Sequence, residues 1–410
     1  MNRYVSAVIM TLLIAALLLA PSAQAVLCDG GGSGKTADWA YWDYPSVGFI
    51  DLNAAYYYYL FNAAENDTLR FEFSGDFPHS RYMSFTLYNV NNQLPVGVLN
   101  DYEIEPDAGN QNPFVPGTDR ATADRSYTVR MVPAGSDQAG LPNTLVIPAD
   151  VEIACLLLRV YLPDDGQPLD GGVGMPDTSV FDDATGEPAD GPAKLRVEDY
   201  LSGNLGDTLG LMTKTQEYYA ALSTQVESWR LEIPNAFPQY ENPYIWMPLA
   251  HPGPGRVALV RFRAPSFTDT GGGEGAFSGE EDVRYFSVSV GGLLTTMTSR
   301  TINDSELAID DEGYVNLVIG APWLLAPFAR LRGWNFVPTR QHAQPILVFR
   351  QMLPQADFEG SFLRIFKLDL YEPPGTQVEE LKASNFVGDW APQGEYCTTW
   401  EFIKMLCGAR

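Results

Sequence analysis

Short runs in which apolar and polar residues alternate recur along the whole chain. Each run is rich in Val, Tyr, Phe and Thr and is bounded by Gly, Pro, Asn or Asp, which is typical of half-buried β-strands. The clearest runs are TLRFEFSGDF, YMSFTLYNV, SYTVRMV, NTLVIPA, IACLLLRVYL, RVALVRFRA, RYFSVSVGG, GYVNLVIGA, PILVFRQML and FLRIFKLDLY. Short strands at this turn-punctuated spacing predict a mostly β fold made of sandwiches or barrels.

Three blocks of sequence occur twice, in the same order. They are RYMSF (81–85) with RYFSV (284–288), LRFEFSGDFP (69–78) with LVRFRAPSF (259–267), and CLLLRVYLPDD (155–165) with ILVFRQMLPQA (346–356). Repeated blocks indicate repeated structural units. The pattern therefore predicts an internal duplication, with two similar, jelly-roll-like β-sandwich units.

The predicted organisation has five parts. Residues 26–165 form β unit 1 and residues 236–372 form β unit 2. Residues 166–235 between them form a linker that begins with an irregular Gly-, Pro- and Asp-rich stretch and continues into one or two helices, with helical spacing over 217–232. Residues 373–410 form a C-terminal segment with a short helix, and residues 268–282 read as a flexible loop inside unit 2.

The first 25 residues have the pattern of a secretory signal peptide. Arg3 precedes an apolar run at 8–20, and the small residues AQA at 23–25 precede Val26. We expect cleavage near Ala25 and a secreted or periplasmic mature protein. No later run approaches the roughly 20 apolar residues of a spanning helix, so no transmembrane segment is expected in the mature chain.

The charge of the chain bears on its partners. It has 51 acidic and 26 basic residues, for a net charge of -25. Such a chain repels the phosphates of nucleic acids, so we expect no nucleic-acid partner. The expected partner is an extracytoplasmic ligand of unknown identity.

Four cysteines in an exported chain are disulfide candidates, namely Cys28, Cys155, Cys397 and Cys407. Residues 398–406 between the last two have helical spacing, and ten helical residues span about 15 Å. A disulfide needs Cα atoms roughly 4.4 to 6.8 Å apart, so such a helix keeps Cys397 and Cys407 unpaired. Cys28 then becomes the expected partner of one of them, while Cys155 is either bridged or a buried free thiol.

Complete catalytic or cofactor motifs are missing from the sequence. GGGSGKT (30–36) lacks the first Gly of a phosphate-binding loop, no Gly-x-Ser-x-Gly elbow occurs, and the three His have no metal-ligand spacing. We therefore predict no cofactor. Calcium at the acidic loops 164–172 or 302–314 is the alternative, although neither loop has the EF-hand pattern.

The candidate site residues fall into two groups. The loop 101–117 carries Asp107, Asn110 and Asn112 among Gly and Pro, and the second unit has no recognisable equivalent of it. The repeated strand starts supply Arg81 with Tyr82 and Arg284 with Tyr285, and sharing by both units favours an architectural role. His79 breaks the repeat, because Asp282 occupies the aligned position, and is therefore the better functional candidate.

The blocks FPHSRYMSFTLYN, DYEIEPDAGNQNPF and LLLRVYLPDDG give the chain a resemblance to a group of exported bacterial proteins of unknown function. This resemblance, which covers mainly residues 69–165, implies a β-sandwich fold in an envelope or secreted setting and supplies no catalytic residues. The leading hypothesis is a protein that binds a sugar or lipid-like ligand, small or polymeric, at the unit 1 loops or between the units. One alternative is a secreted hydrolase or lyase that uses His79, Arg81 and a carboxylate such as Asp107. The other is a structural envelope protein.

Overall fold

The computed structural model describes most of the chain after residue 38. The described residues are 39–41, 48–193, 195, 216–231, 238–250, 255–293, 295–321, 325–339, 342–369, 372, 374–375 and 377–408. The expected signal peptide, Cys28, the GGGSGKT stretch and the first predicted linker helix lie outside these ranges. His251 and the side chain of Cys407 lie outside them as well.

The described residues of the first half form two sheets. The strands are β1 (Ala40–Tyr41), β2 (Ala54–Asn62), β3 (Leu69–Asp76), β4 (Ser80–Asn89), β5 (Leu94–Asn100), β6 (Ser126–Pro133), β7 (Thr144–Ile147), β8 (Ile153–Pro163) and β9 (Asp177–Asp182). Sheet I has the order β1-β2-β8-β4-β5, and sheet II has the order β7-β6-β3-β9. Their facing side chains, such as Phe85 of β4 and Phe73 of β3, share one hydrophobic core.

The second half is built from two further sheets and a short strand pair. The strands are β10 (Arg230–Leu231), β11 (Tyr244–Pro248), β12 (Arg256–Arg263), β13 (Tyr285–Gly292), β14 (Thr298–Asn303), β15 (Tyr314–Gly320), β16 (Asn335–Pro338), β17 (Pro345–Met352), β18 (Lys367–Leu368) and β19 (Gln393–Thr398). Sheet III has the order β11-β17-β13-β14, sheet IV has the order β16-β15-β12-β19, and β10 pairs with β18. Side chains of sheets III and IV share a second core.

The two halves follow the same strand order. Sheets I and III correspond strand by strand apart from β1, as do sheets II and IV, and sheets II and IV each contain one parallel pair, β6 with β7 and β15 with β16. The register matches too, because Ser84 lies opposite Arg159 in sheet I and Ser287 lies opposite Arg350 in sheet III. Three residues after each of these arginines, Leu162 and Leu353 both have a positive φ, of 48° and 46°.

Strand β4 shows how alternation places side chains on two faces. Met83, Phe85 and Leu87 point into the core shared with sheet II, as the two-residue period of a strand requires. The intervening Tyr82, Thr86 and Tyr88 lie on the opposite face of sheet I, which we call its outer face, and are buried there as well. Both faces of the strand are therefore covered.

Helices are short, and the fold is mostly β, as predicted. They comprise α-helical residues 216–222, Ala326–Leu331, Gln377–Glu380, Ser384–Val387 and Thr399–Gly408, and 3-10 turns Ala64–Asn66, Asp101–Glu103, Phe362–Arg364 and Gly388–Trp390. None of the helices in the described ranges has the length and apolar character needed to cross a membrane.

Two local predictions were wrong. The helix predicted over 217–232 ends at residue 222, because the backbone of Trp229 exchanges two hydrogen bonds with that of Trp246 at 2.9 and 2.7 Å. The irregular stretch 162–193 contains β9, whose residues pair with β3. In both cases the backbone forms hydrogen bonds with a strand that is distant in sequence, and a local sequence pattern does not predict such a pairing.

Among the disulfide candidates, the side chains of Cys155 and Cys397 are described, and the buried free thiol is the alternative observed for Cys155. A pairing of Cys28 with Cys407 lies outside the described residues. Cys155 and Cys397 are both free. Cys155 is buried on the outer face of sheet I between apolar neighbours, where burial raises the pKa of its thiol to about 12. The helix predicted after Cys397 is confirmed as Thr399–Gly408.

Candidate functional site in the polar layer between the two halves

Arg81, at the start of β4, is fully buried and points into the second half of the molecule. Its Nη1 donates to Oδ2 of Asp304 at 2.9 Å, its Nη2 to Oγ of Ser305 at 2.9 Å, and its Nε to Oγ1 of Thr270 at 2.6 Å. All three partners belong to the second half. A guanidinium whose three nitrogens all donate to residues of the other half links the two halves.

Arg284, at the start of β13, makes the reciprocal link. Its Nη1 lies 3.5 Å from Oδ2 of Asp101, and its Nη2 donates to the carbonyl oxygen of Phe114 at 3.3 Å. The guanidinium also lies 3.9 Å from the centre of the Phe277 ring. Each half therefore contributes one arginine and one aspartate to a pair of crossed ion pairs.

The two aspartates occupy matching turns, Asn100-Asp101-Tyr102-Glu103 and Asn303-Asp304-Ser305-Glu306. In each turn the Glu accepts from the Asn backbone N–H, at 2.9 Å in the first and 3.3 Å in the second. The Asp also accepts a backbone N–H of the neighbouring strand, from Met83 in the first half and Phe286 in the second. The start of the 101–117 loop thus has an equivalent in the second half, contrary to our expectation.

Burial governs the protonation of both aspartates. It raises the pKa of Asp304 to about 6, even though Arg81 and the backbone N–H of Phe286 favour the charged form. Burial likewise raises the pKa of Asp101 to about 6 against the influence of Arg284. Both carboxyl groups therefore titrate close to neutral pH.

Tyr82 and Tyr285 also reach across the boundary. The hydroxyl of Tyr285 donates to Oδ2 of Asp51 at 2.9 Å, and the hydroxyl of Tyr82 lies 3.1 Å from Oε1 of Glu241. Asp51 precedes the first long strand of the first half, and Glu241 precedes the first strand of sheet III. Burial raises the pKa of both tyrosines well above the usual value, so both stay protonated donors.

The remaining predicted residues do not assemble a catalytic set. Nδ1 of His79 lies 2.7 Å from Nη1 of Arg125, and burial followed by Arg125 lowers the His79 pKa. Asp107 instead accepts from Ser126 at 3.1 Å and Thr128 at 3.3 Å, and no hydrogen bond joins it to His79 in the described ranges. In the described ranges, His79 and Asp107 are therefore bonded to different partners and not directly to each other.

The two asparagines of the same loop are used to hold its shape. Oδ1 of Asn110 accepts from the backbone N–H of Ser126 at 3.0 Å. The buried amide of Asn112 donates to the carbonyl oxygens of Asp101 and Ile104 at 2.7 and 2.8 Å. These side chains are bonded within the loop and its adjoining strand.

Arg159 and Arg350 occupy the same register position on the outer faces of sheets I and III, and both are 4% exposed. Arg350 lies 3.9 Å from Oδ2 of Asp51, and its other contacts are the Ser289 hydroxyl and the Phe49 carbonyl oxygen. Among the described residues, the Arg159 guanidinium donates to the hydroxyls of Thr86 at 2.9 Å and Tyr88 at 2.7 Å. Within the described part of the chain, no carboxylate lies within ion-pair distance of Arg159.

A chain of hydrogen bonds connects the surroundings of these two arginines. Tyr56 accepts the backbone N–H of Asp51 at 3.1 Å and lies 3.0 Å from the hydroxyl of Tyr161. Tyr161 lies 3.4 Å from Gln239, whose amide donates to Glu241 at 3.1 Å. We call this set, with Arg159, Arg350, Tyr82 and Tyr285, the polar layer.

Metal and nucleophile chemistry find little support in the described residues. No group of three or more His, Cys, Asp or Glu there is arranged to hold a metal ion. Nε2 of His342 lies 2.8 Å from the hydroxyl of Ser299. In the described ranges, however, no carboxylate accepts a hydrogen bond from His342. A serine–histidine pair without an orienting acid is an incomplete triad.

Sequence reasoning missed the acidic partners and the special position of Arg159. The repeated Asn-Asp-x-Glu turns at 100–103 and 303–306 were a readable signal, because they follow the repeated Arg-Tyr strands at the same distance. Nothing local marks Asp51 or Glu241, which precede their strands in unrelated sequence.

Comparison with known proteins gives a fold but no family. No family model matches the chain, and no curated protein matches it. Among solved structures, the chain is similar to an uncharacterized protein from Burkholderia cenocepacia, with a TM-score of 0.50 and 11% identity over 86% of this chain and 78% of that one. It also matches the VPA0106 protein from Vibrio parahaemolyticus, with a TM-score of 0.43 and 10% identity over 85% and 90%. At 11% identity, the first likeness establishes a similar fold only.

Proposed function

We propose that this protein binds a small anionic ligand in the polar layer, with Arg159 as the group that receives the negative charge. The observation behind the proposal is that Arg159 is buried against neutral hydroxyls, whereas Arg350 at the matching position faces Asp51. Glu241 stabilises the charge of Arg159 only from a distance, and no described carboxylate forms an ion pair with it. A buried guanidinium without a direct ion pair is costly, so a ligand carboxylate or phosphate would be bound strongly there.

The surroundings of Arg159 limit the class of ligand. Tyr82, Tyr88 and Tyr161 lie on the same outer face, where their rings surround Arg159 and their hydroxyls are bonded within the protein. The net charge of -25 disfavours a polyanion, since repulsion between like charges grows with the charge of the ligand. An acidic sugar or a lipid-like acid fits this chemistry, and of the two sites that the sequence offered, the layer between the halves is preferred to the unit 1 loop.

A thermal-shift experiment with matched ligand pairs tests the proposal. Glucuronate is compared with glucose, and decanoate with decanol, so that the members of each pair differ mainly in charge. We expect an anionic member to raise the melting temperature and its neutral partner not to, because only a ligand of the native state stabilises it. If the charged and neutral members of both pairs shift the melting temperature equally, the negative charge of the ligand plays no part in binding.

Two variants at matching positions separate ligand binding from folding. Arg159→Gln should abolish the shift and should leave the free protein as stable as the wild type or more stable, because it removes a buried charge that lacks a counter-ion. Arg350→Gln should keep the shift but destabilise the free protein by about 3 kcal/mol, because it leaves Asp51 buried without its cation. A shift that persists in Arg159→Gln contradicts the proposed site.

We further infer that the two halves are copies of one jelly-roll-like sandwich unit and that the protein works outside the cytoplasm. The matching strand orders and registers support the duplication, and the signal-like pattern of residues 1–25 supports export. The intact mass of the protein purified from its own host tests the second point, since cleavage near Ala25 would remove these residues.

A further inference from the structure

One stretch of the second half is free of acidic residues. The chain carries 51 Asp and Glu among 410 residues, yet residues 313 to 356 contain none, and the same stretch contains four arginines. Arg350 is buried in the polar layer, while Arg330 is exposed to solvent. The surface of this stretch therefore has a charge opposite to that of the protein as a whole.

The acid-free stretch meets the C-terminal helix on the outer face of sheet IV. Leu325 and Ala329, at the start of the helix Ala326–Leu331, share a hydrophobic cluster with Phe402 of the helix Thr399–Gly408. The rings of Trp334 and Phe402 have centroids 6.0 Å apart. The two helices thus lie on one side of the molecule, next to each other.

Both helices also present large apolar side chains to solvent. Leu331 is 82% exposed and Trp400 is 63% exposed, and Phe328 and Met405 are exposed as well. Two cations accompany them, because Arg330 follows Phe328 on the first helix and Nζ of Lys404 lies 5.5 Å from the Trp400 ring. We call these six residues the helical face.

Cations outnumber acids near the helical face. Glu401 and Glu395 lie beside Lys404, and the Glu401 carboxylate accepts from the backbone N–H and the hydroxyl of Thr398 at 2.7 and 2.8 Å. The cations Arg330, Arg332 and Lys404 exceed these two acids, and the first helix itself has no acidic residue. Exposed apolar side chains clustered with Arg and Lys are typical of surfaces that meet lipid headgroups, and Trp is enriched at that boundary.

We propose that the helical face docks reversibly on an anionic lipid surface, with Leu331 and Trp400 entering the headgroup region and Arg330 and Lys404 contacting lipid phosphates. Charge complementarity favours a membrane, because the helical face is the cationic part of a strongly acidic chain and the remainder of the chain would be repelled. Repulsion of the remainder would orient the protein with this face toward the bilayer. The proposal does not depend on ligand binding at Arg159.

Flotation with vesicles tests the docking. The full chain is mixed with vesicles of phosphatidylcholine containing phosphatidylglycerol and, separately, with vesicles of phosphatidylcholine alone. We expect co-flotation with the anionic vesicles only, and we expect it to be lost at high salt, which screens the contacts of Arg330 and Lys404. Equal binding to both kinds of vesicle, or none to the anionic ones, overturns the proposal.

Three variants show which surface is responsible. The double variant Leu331→Ser/Trp400→Ser should lower the partition coefficient about tenfold or more, and Arg330→Gln/Lys404→Gln should lower it while reducing the dependence on salt. Phe366→Ser is the matched control, because Phe366 is also an exposed apolar residue but lies outside the helical face. If Phe366→Ser lowers binding as much as the double serine variant, the proposed surface is wrong.

Sedimentation velocity distinguishes the membrane from a second copy of the chain. We expect the wild type and the double serine variant to sediment identically as one species. A wild-type dimer that the double serine variant converts to monomer would assign the helical face to self-association and overturn the lipid proposal.

Discussion

At the scale of single residues, buried charges are the main feature of the polar layer. Asp304 is surrounded by Arg81 and by backbone N–H groups of Phe286 and Ser305, so its negative charge has three donors. Desolvation nevertheless outweighs them and raises the pKa of Asp304 to about 6. Its charge in the folded protein therefore depends on pH within a physiologically accessible range.

We predict that Asp304 makes the folded protein more stable at acidic pH. Its folded pKa of about 6 exceeds the ordinary value of 3.8, so the folded state binds the proton more tightly than the unfolded state. This contribution is fully present below the unfolded value and disappears as the pH rises through about 6. It amounts to at most about 3 kcal/mol, at about 1.4 kcal/mol per pKa unit.

The non-titrating variant Asp304→Asn isolates this contribution from all other carboxylates. Urea unfolding of the wild type and the variant, measured from about pH 4 to about pH 7, should show the wild type losing stability relative to the variant as the pH rises. A difference that stays constant, or that grows with pH, contradicts the raised pKa. Asp101→Asn, at the equivalent turn, should behave in the same way.

The repeated blocks align Arg81 with Arg284, and these residues lie at the starts of β4 and β13, which occupy matching positions in order and register. The partner of Arg81 lies 223 residues away, and no local pattern specifies a pairing over that distance. Arg159 and Arg350 lie in the repeated blocks 155–165 and 346–356, but the lack of an ion pair at Arg159 is visible only when the contacts of both arginines are compared.

At the scale of elements, the loop 268–282 differs most from its predicted character. It was expected to be flexible, but it crosses to the first half, where Phe277 is buried in the core of sheets I and II. Its carbonyl oxygen accepts the backbone N–H of Gly117 at 2.9 Å, and its ring stacks on Phe114 at 6.3 Å. A Gly-rich composition predicted a loop correctly but gave no information about what its one aromatic residue contacts.

We predict that Phe277→Ala destabilises the protein by about 3 to 5 kcal/mol, because it empties a site in a core to which the loop contributes only this side chain. Urea unfolding monitored by circular dichroism measures the change. Phe366→Ala, at an exposed phenylalanine of the same half, is the control and should change stability by less than about 0.5 kcal/mol. Similar losses in the two variants would mean that the loop is not docked as described.

The helix predicted over 217–232 failed for a related reason. Tyr218, Leu222, Val226 and Trp229 are all buried, so the spacing of apolar residues correctly marked an inward face. Their backbone nevertheless turns away from the helix after residue 222, since Val226 accepts from Gly394 and Trp229 pairs with Trp246. The periodicity of apolar residues indicates which side chains are buried, but it does not indicate which strand will form hydrogen bonds with their backbone.

At the scale of the whole molecule, more cations than anions are buried among the described residues. The buried arginines are Arg70, Arg81, Arg120, Arg125, Arg159 and Arg350, and the buried acids are Asp51, Asp101 and Asp304. Since the chain has only 26 basic residues, the burial of these arginines leaves the surface still more acidic than the net charge of -25 suggests. The helical face is the exception, and this contrast is why we expect it to determine orientation at a membrane.

The crossed ion pairs also predict how the molecule unfolds. Arg81 pairs with Asp304, and Arg284 pairs with Asp101. If either half unfolds, a charged residue that is still buried in the other half loses its ion-pair partner. Breaking a buried pair by removing one member costs about 3 to 5 kcal/mol. We therefore expect the wild type to unfold in a single cooperative transition despite its two separate cores.

Differential scanning calorimetry of the double variant Arg81→Met/Arg284→Met tests this coupling. We expect its melting to separate into two transitions, one for each core, with a calorimetric enthalpy larger than the van't Hoff enthalpy of either step. Arg261→Met removes an arginine that pairs with Glu312 at the surface, so this control should keep the single transition of the wild type. If the double variant still melts in one transition at a lower temperature, the halves are coupled mainly by apolar packing around Tyr82 and Tyr285, and the crossed ion pairs only add stability to a coupling that exists without them.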